Sequence, residues 1–330
     1  MEQYAVPFKQ HPLFVTEGHE SEHGWVMLTD KMGSDEACVK RARLSHNGEF
    51  RGWEREEQLL AFLMRHEHKS VFQAARMVVR AKIPLETVHE IDRHRTLDLH
   101  GDLYGSTQHE PQVVVTASTS RKFINKNEAS GRYINLADLG ARRIPRSRVG
   151  RKSKTNKQGT GAALPPEVID QFLAEDNALK DAQIAHIKKW SDPEGADIAF
   201  EIVRGVMGLD NYTIIELDGD ALWWMEFFRL RMAPGAKQEV REFANLCFKI
   251  FEELFPRVAK LFKEYTLNRE VFAGSQAKAL REMLRFLHST SCEMPPQPGQ
   301  LAVFVRGFGE KHGLSGGTLA EFVASLTKED

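Results

Sequence analysis

Residues 75–95 read ARMVVRAKIPLETVHEIDRHR, and a change of period inside this stretch sets the fold class. Residues 75–83 are rich in β-prone side chains, and Pro84, which cannot donate to a sheet ladder, closes the predicted strand. From Leu85 the pattern turns helical and runs to Arg93-His94-Arg95. Cationic groups at that end are favoured by the helix dipole. The plain reading of the triplet is a dipole cap on a solvated face. The functional one is a set of donors for an anionic ligand.

Working outward, residues 24–30 (GWVMLTD) predict a short strand. Residues 53–66, with Trp53, Leu59, Leu60, Phe62 and Leu63 spaced for one face, predict an amphipathic helix. Residues 96–120 hold Gly101, Gly105, Pro111 and one β-prone run, Val113-Val114-Val115, and read as a long excursion with a small hairpin. Residues 142–157 (RRIPRSRVGRKSKTNK) carry no acid, so they predict a solvated, mobile loop or a phosphate-binding flap, with nucleic-acid binding third because the rest of the chain has no matching basic signal. The second half reads as helical: 165–190 opening on Pro165-Pro166, then 193–206, 220–232, 236–264, 270–289, and 318–327 after Gly316-Gly317. Strands early and long helices late make an α+β protein. The expectation is a single domain over 1–330 whose last segment, 266–330, is a helical extension.

Lys and Arg number 45 against 46 Asp and Glu in the 330 residues, a net charge of −1. Such a chain has no general attraction to nucleic acid or membrane. Its apolar runs fall short of the roughly 20 residues of a membrane span. The start, MEQYAVPFKQHPLFV, lacks the pattern of a signal peptide, so a cytoplasmic protein is expected. Cys38, Cys247 and Cys292 form no C-x-x-C pair and predict small buried apolar residues, not a disulfide or zinc framework. His66 and His68 lack the spacing of a metal motif, and Gly307, Gly309 and Gly313 lack that of a dinucleotide loop. No metal site is expected.

Two further groups carry chemistry. Asn127-Glu128-Ala129-Ser130-Gly131-Arg132 offers a hydroxyl, a guanidinium fork and a glycine that lets backbone approach a ligand. Its plain reading is a turn before a helix, with Asn127 as cap. Arg231 ends a predicted helix whose other face is Trp223, Trp224, Phe227, Phe228 and Leu230. A guanidinium there needs an anion or a snorkelling route to water.

Taken together, Arg93-His94-Arg95 and Asn127-Glu128-x-Ser130-x-Arg132-Tyr133 resemble the signature R-H-R-x-x-S-x-N-E-x-S-x-R-Y of the flavin-dependent thymidylate synthases. Further stretches follow in family order: Met32-Gly33-Ser34-Asp35, Arg43-Leu44-Ser45, His68-Lys69-Ser70-Val71-Phe72-Gln73, Glu201-Ile202-Val203-Arg204, Tyr212-Thr213, Phe228-Arg229-Leu230-Arg231 and Ala236 to Arg241. The resemblance spans about 24–265. It implies that family's fold, a small antiparallel sheet with long helices. It also implies bound FAD, NADPH as reductant, and transfer of a methylene from methylenetetrahydrofolate to C5 of UMP or dUMP without a cysteine nucleophile. Arg231 would then be catalytic, stabilising charge on the uracil carbonyl and N3. Glu90, Arg93, Glu128, Ala129, Ser130, Gly131, Arg132, Arg204 and Arg231 would hold the nucleotide. His68, Ser70, Arg93, His94, Arg95, Glu128, Asp220 and Glu226 would hold FAD. The sites would be shared between subunits of a homotetramer.

The sequence also departs from the family. Arg95 and Asn127 are separated by 31 residues where the signature has four, an insertion of about 27 near 97–123. Asn125 replaces the middle serine, Glu90 a glutamine, Gln73-Ala74 a Glu-His pair, Asp220 an asparagine and Leu222 an arginine. Glu226 and Lys237 replace commoner amides, and Met207-Gly208 stands where Leu-Pro is usual. Carboxylates in place of amides add acceptors. Beside a ribose they favour a substrate with a 2′-hydroxyl, so UMP is expected to be methylated as well as dUMP, as in the branch of the family that serves nucleoside-antibiotic biosynthesis. The alternatives are a dUMP-specific synthase, a C5-hydroxymethylase, and a nucleotide-binding regulator on the same fold.

Overall fold

The computed structural model describes residues 9–44, 49–93, 124–154, 159–269, 272–289 and 298–327. The chain divides into two compact units, Met1–Leu267 and Asn268–Asp330. In the first, strands β1 (His11–Leu13), β2 (Gly24–Met32), β3 (Arg76–Pro84), β4 (Ile124–Glu128) and β7 (Tyr212–Asp220) form one sheet in the order β1-β2-β3-β7-β4. Every neighbouring pair is antiparallel. A separate hairpin joins β5 (Gly150–Lys152) to β6 (Thr160–Ala163).

The helices of this unit are α1 (Asp35–Arg43), α2 (Trp53–Arg65), α3 (Leu85–Asp92), α4 (Pro166–Trp190), α5 (Phe200–Val203), α6 (Ala221–Arg231), α7 (Gln238–Leu254) and α8 (Pro256–Phe262). Period-two alternation puts Met77, Val79, Ala81 and Ile83 of β3, with Ile215 and Leu217 of β7, on the buried face of the sheet. They pack with Trp224, Phe227 and Phe228 of α6 and Phe243 and Phe251 of α7 in one core. The other face is charged: Arg76 pairs with Asp218 at 2.8 Å and Arg80 with Glu216 at 2.7 Å. At Gly219 an added Cβ would lie 3.0 Å from the rings of both Trp223 and Trp224, so a glycine lets α6 lie close against β7. Trp224 Nε1 then donates to the Met77 carbonyl at 3.0 Å.

The second unit holds α9 (Gly274–Ser289), α10 (Pro298–Lys311) and α11 (Gly316–Thr327). It has a core of its own, with Ala279, Met283, Val305, Leu319 and Phe322 buried in it.

Several expectations need correction. The predicted helical half contains β7, which lies between β3 and β4 in the sheet. Its run of Ile214, Ile215 and Leu217 suits a strand paired on both sides, and only tertiary pairing reveals it. Asn127 lies within β4 and is not a helix cap. Of 193–206 only α5 is α-helical, because Pro193 and Gly195 sit in a turn where Gly195 N–H donates to the Asp192 carbonyl at 3.0 Å. The predicted helix 236–264 breaks at Phe255, since Pro256 starts a new one. Asp35 caps that new helix, accepting from Arg257 N–H at 3.0 Å and Val258 N–H at 3.1 Å. The basic stretch is not uniformly solvated, because Arg142 and Arg143 are buried. His94, Arg95, Cys292 and the insertion near 97–123 lie outside the described residues.

Candidate active site

Two groups of predicted residues stand at opposite ends of the sheet. Arg76 pairs with Asp220, and Pro84 with Tyr212, so β3 and β7 have one end near residues 76 and 220 and the other near 84 and 212. Glu128 pairs with Ile215, which puts the Ala129–Arg132 turn at the second end. His68 and Ser70 lead into β3 and belong to the first. Nine-residue strands such as these are about 27–30 Å long. Helix α6 starts at the first end and runs back, carrying Arg231 to the C-terminal turn of α3.

At the second end the turn is built by backbone bonds. Ala129 N–H donates to the Ile214 carbonyl at 2.8 Å, and Tyr133 N–H to the Ser130 carbonyl at 3.0 Å. Glu128 accepts from the Thr213 hydroxyl at 3.1 Å. Gly131 is needed for close approach: a Cβ there would meet Arg204 Nη1 and Leu136 Cδ1, each at 2.8 Å. Arg132 Nε donates to Glu201 at 3.0 Å from an exposed position. Gly131, Arg132 and Arg204 therefore come together, beside exposed Ser130.

Between the two ends lies a cluster around α3. Lys126 of β4 ties this cluster to the sheet, lying 2.8 Å from Asp92 and 3.9 Å from Glu128. Arg93 Nη1 donates to the Glu90 carboxylate at 2.6 Å. Arg231 Nη2 donates to the Glu90 backbone carbonyl at 2.8 Å, and its Nη1 lies 3.5 Å from the Glu90 carboxylate. The Arg231 side chain is only 19% exposed. Its Nε is buried and has no acceptor among the described residues. A guanidinium so placed keeps donor capacity for a ligand.

At the first end Ser70, on the 3-10 turn Lys69–Ala74, and His68, its N-cap residue, are exposed. Asp220 is buried and accepts from Trp223 N–H at 2.8 Å, which makes it the N-cap of α6. Burial raises its carboxyl above the ordinary range, against the pull of that backbone bond and of the Arg76 charge. Leu222 lies in the core. Glu226 is paired with Lys69 and with Arg229, both at 2.8 Å. Burial alone would raise its carboxyl, but hydrogen bonds from those two cations hold it below its ordinary value. Lys69, Thr213 and Glu201 lie inside the family-like stretches, but their pairings with Glu226, Glu128 and Arg132, like that of Lys126 with Asp92, join residues distant in the chain and have no local signal.

Cys38 and Cys247 are fully buried. Burial pushes the Cys38 thiol up to about 12 and raises that of Cys247 well above its usual value, so neither is an activated nucleophile. Among the described residues no group of acids, histidines and cysteines could hold a metal ion.

An antiparallel sheet backed by aromatic helices carries Arg132 and Arg204 at one end and Arg93 and Arg231 at the close of α3, guanidinium donors suited to an anionic ligand. Residues 27–257 match the family model for thymidylate synthase complementing protein, and the chain belongs to that family. A flavin-dependent thymidylate synthase of Wolbachia pipientis is 26% identical over 285 residues, 85% of this chain and 86% of that protein. One from Thermus thermophilus is 27% identical over 264 residues, 80% and 84% of the two chains. Among solved structures, the UMP/dUMP methylase PolB of Streptomyces cacaoi bound with 5-Br UMP superposes with a TM-score of 0.56 at 21% identity, over 74% of this chain and 95% of that one. Its complex with 5-Br dUMP gives the same TM-score at 22% identity.

The relatives' name carries a flavin, and the residues here fit one in part. His68 offers an imidazole, Ser70 a hydroxyl and Arg93 a guanidinium, all exposed. These are donors suited to a pyrophosphate or the polar edge of a ring. The carboxylates of Asp220 and Glu226 are taken up by the fold.

Proposed function

We propose that the chain is a flavin-dependent methyltransferase that methylates C5 of uridylate, accepting UMP as well as dUMP. Arg231 carries this reading: a largely buried guanidinium with a buried Nε that lacks an acceptor among the described residues, on the family's catalytic position by resemblance. FAD, once bound and reduced by NADPH, supplies the hydride, and methylenetetrahydrofolate supplies the carbon. Arg231 donates to the uracil carbonyl and stabilises charge that develops there and on N3, making C6 electrophilic. Fixed donors in a site shielded from water are effective at this because they need no reorganisation. Ser130, the backbone beside Gly131, Arg132 and Arg204 hold the phosphate and sugar, with Glu128 and Ala129 beside them. His68, Ser70 and Arg93, with His94 and Arg95, hold the flavin dinucleotide.

The active form is a homotetramer with shared sites. The separation of His68 and Ser70 from the Ser130–Arg132 turn along the sheet supports this, because one chain does not bring the two groups together. The setting is cytoplasmic; among the described residues no helix is long and apolar enough to cross a membrane.

The test is incubation of the purified, flavin-loaded protein with UMP or dUMP, methylenetetrahydrofolate and NADPH, with product mass as readout. A gain of one methyl group on UMP is expected. Turnover of dUMP alone overturns the substrate assignment, and a hydroxymethyl product overturns the reaction. Arg231→Ala should lower kcat by about 10²–10³-fold, the usual loss for a fixed donor to a developing oxyanion, and unchanged kcat would remove Arg231 from the chemistry.

A further inference from the structure

We infer that Lys237 is a positioning residue that sets the guanidinium of Arg231 through Glu86. The inference rests on the proposed role of Arg231. Glu86 and Glu90 lie four residues apart on α3, hence on one face and about one turn apart. Glu90 receives Arg231 at the end of α6. Glu86 forms an ion pair with Lys237, the N-cap residue of α7. The junction between α6 and α7 is thus held to α3 at both of its ends.

The second tie closes a ring. Lys237 Nζ lies 3.9 Å from Oε2 of Glu239, a buried atom with no hydrogen bond among the described residues. Oε1 of Glu239 accepts from Arg142 at 3.1 Å, and Arg142 donates to Asp210 at 2.6 Å. The turn around Asp210 holds the start of α3, since Leu85 N–H donates to the Asn211 carbonyl and Glu86 N–H to the Leu209 carbonyl, both at 3.0 Å. Ion pairs and backbone bonds therefore run from α3 through Lys237, Glu239, Arg142 and Asp210 back to α3. Arg231, by contrast, has one backbone hydrogen bond and one carboxylate at 3.5 Å among the described residues. Its own contacts do not fix its plane, so the spacing between α3 and the junction does.

The experiment compares Lys237→Met, Lys237→Arg, Glu86→Gln and the Glu86→Gln/Lys237→Met pair in the flavin-loaded full chain. The readouts are kcat and KM for UMP and dUMP, thermal stability, and amide hydrogen exchange over 86–92 and 232–241. Lys237→Met should lower kcat by about tenfold or more, as sub-ångström to ångström misplacement of a reacting group does. KM and Tm should change little. Lys237→Arg should restore most of kcat, and the double variant should be no slower than the slower single one. Unchanged kcat in Lys237→Met, failure of arginine to rescue, or additive losses in the double variant each overturn the inference. If the wild-type chain methylates neither nucleotide, the functional reading fails instead. The exchange measurement then still decides the clamp: Lys237→Met must speed exchange in those two segments, and unchanged exchange overturns it.

Discussion

Replacing Arg142 by methionine should be among the most damaging single changes away from the candidate site. The Arg142 side chain is 7% exposed, and it donates to Asp210 at 2.6 and 3.0 Å and to Glu239 at 3.1 Å. Burial of the guanidinium is opposed by the Asp210 and Glu239 charges, which hold it more firmly protonated than usual. Around it Arg148, Lys180 and Lys237 balance Asp176, Asp210, Glu239 and Glu86. Methionine fills a similar volume but leaves this group one cation short in a buried place. Each contact near 3 Å represents about 5 kcal/mol of gross attraction at an effective dielectric of about 20. Most of that is offset by the cost of burying the charges, and breaking such a pair typically costs about 3–5 kcal/mol. Lys180, 3.0 Å from Asp210, and Arg148, 3.1 Å from Glu239, still screen the stranded carboxylates. The lower end, about 3 kcal/mol, is therefore expected, a fall in Tm of about 6–12 °C for a unit of this size. Thermal unfolding followed by circular dichroism at pH 7, in 0.1 M and 1 M salt, tests this. The loss should persist at high salt, since buried pairs are poorly screened. A loss below about 1 kcal/mol, or one abolished by 1 M salt, would show that the network behaves like surface charge.

Other outcomes follow from the same geometry. Gly131→Ala drives a methyl to 2.8 Å from Arg204 and Leu136, so nucleotide KM should rise about tenfold with kcat less affected; titration calorimetry with UMP checks it, and unchanged affinity would detach Arg204 from the nucleotide. Glu90→Gln removes the carboxylate shared by Arg93 and Arg231 and one acceptor beside the proposed nucleotide site, and should lower the UMP-to-dUMP ratio of kcat/KM by about tenfold. An unchanged ratio would place the discrimination elsewhere. Glu226, Glu239 and Asp210 all have carboxyls held below their ordinary values, burial being outweighed by their cations. A depressed carboxyl stabilises the fold above its unfolded pKa, roughly 4 for such groups, and the contribution fades as pH falls through the lower folded value. Stability should therefore drop on acidification below about pH 4.5. Glu226→Gln should flatten part of that drop, and an identical acid profile would contradict the assignment.

The strand-to-helix change at Pro84, the amphipathic stripe of α2 and the polar clusters at Arg93–Arg95 and Asn127–Arg132 are all local patterns, and the sequence by itself determined them. Spacings along the chain encode side-chain period, turn chemistry and family order directly. Strand β7 was hidden because its pairing lies with β3 and β4, far away in sequence, and its apolar run has no period that excludes a helix. The stretch 142–157 reads by composition as a solvated loop or a phosphate-binding flap, yet Arg142 and Arg143 meet acids from Glu22 to Glu239 in the fold and become buried. Tertiary structure alone decided how these carboxylates are paired. Asp220 and Glu226, candidates by motif, are engaged by the N-terminus of α6 and by Lys69, whereas Glu90 stands between two arginines. Charge pairing depends on three-dimensional distance, and residues as far apart as 90 and 231 acquire one only when the chain has folded.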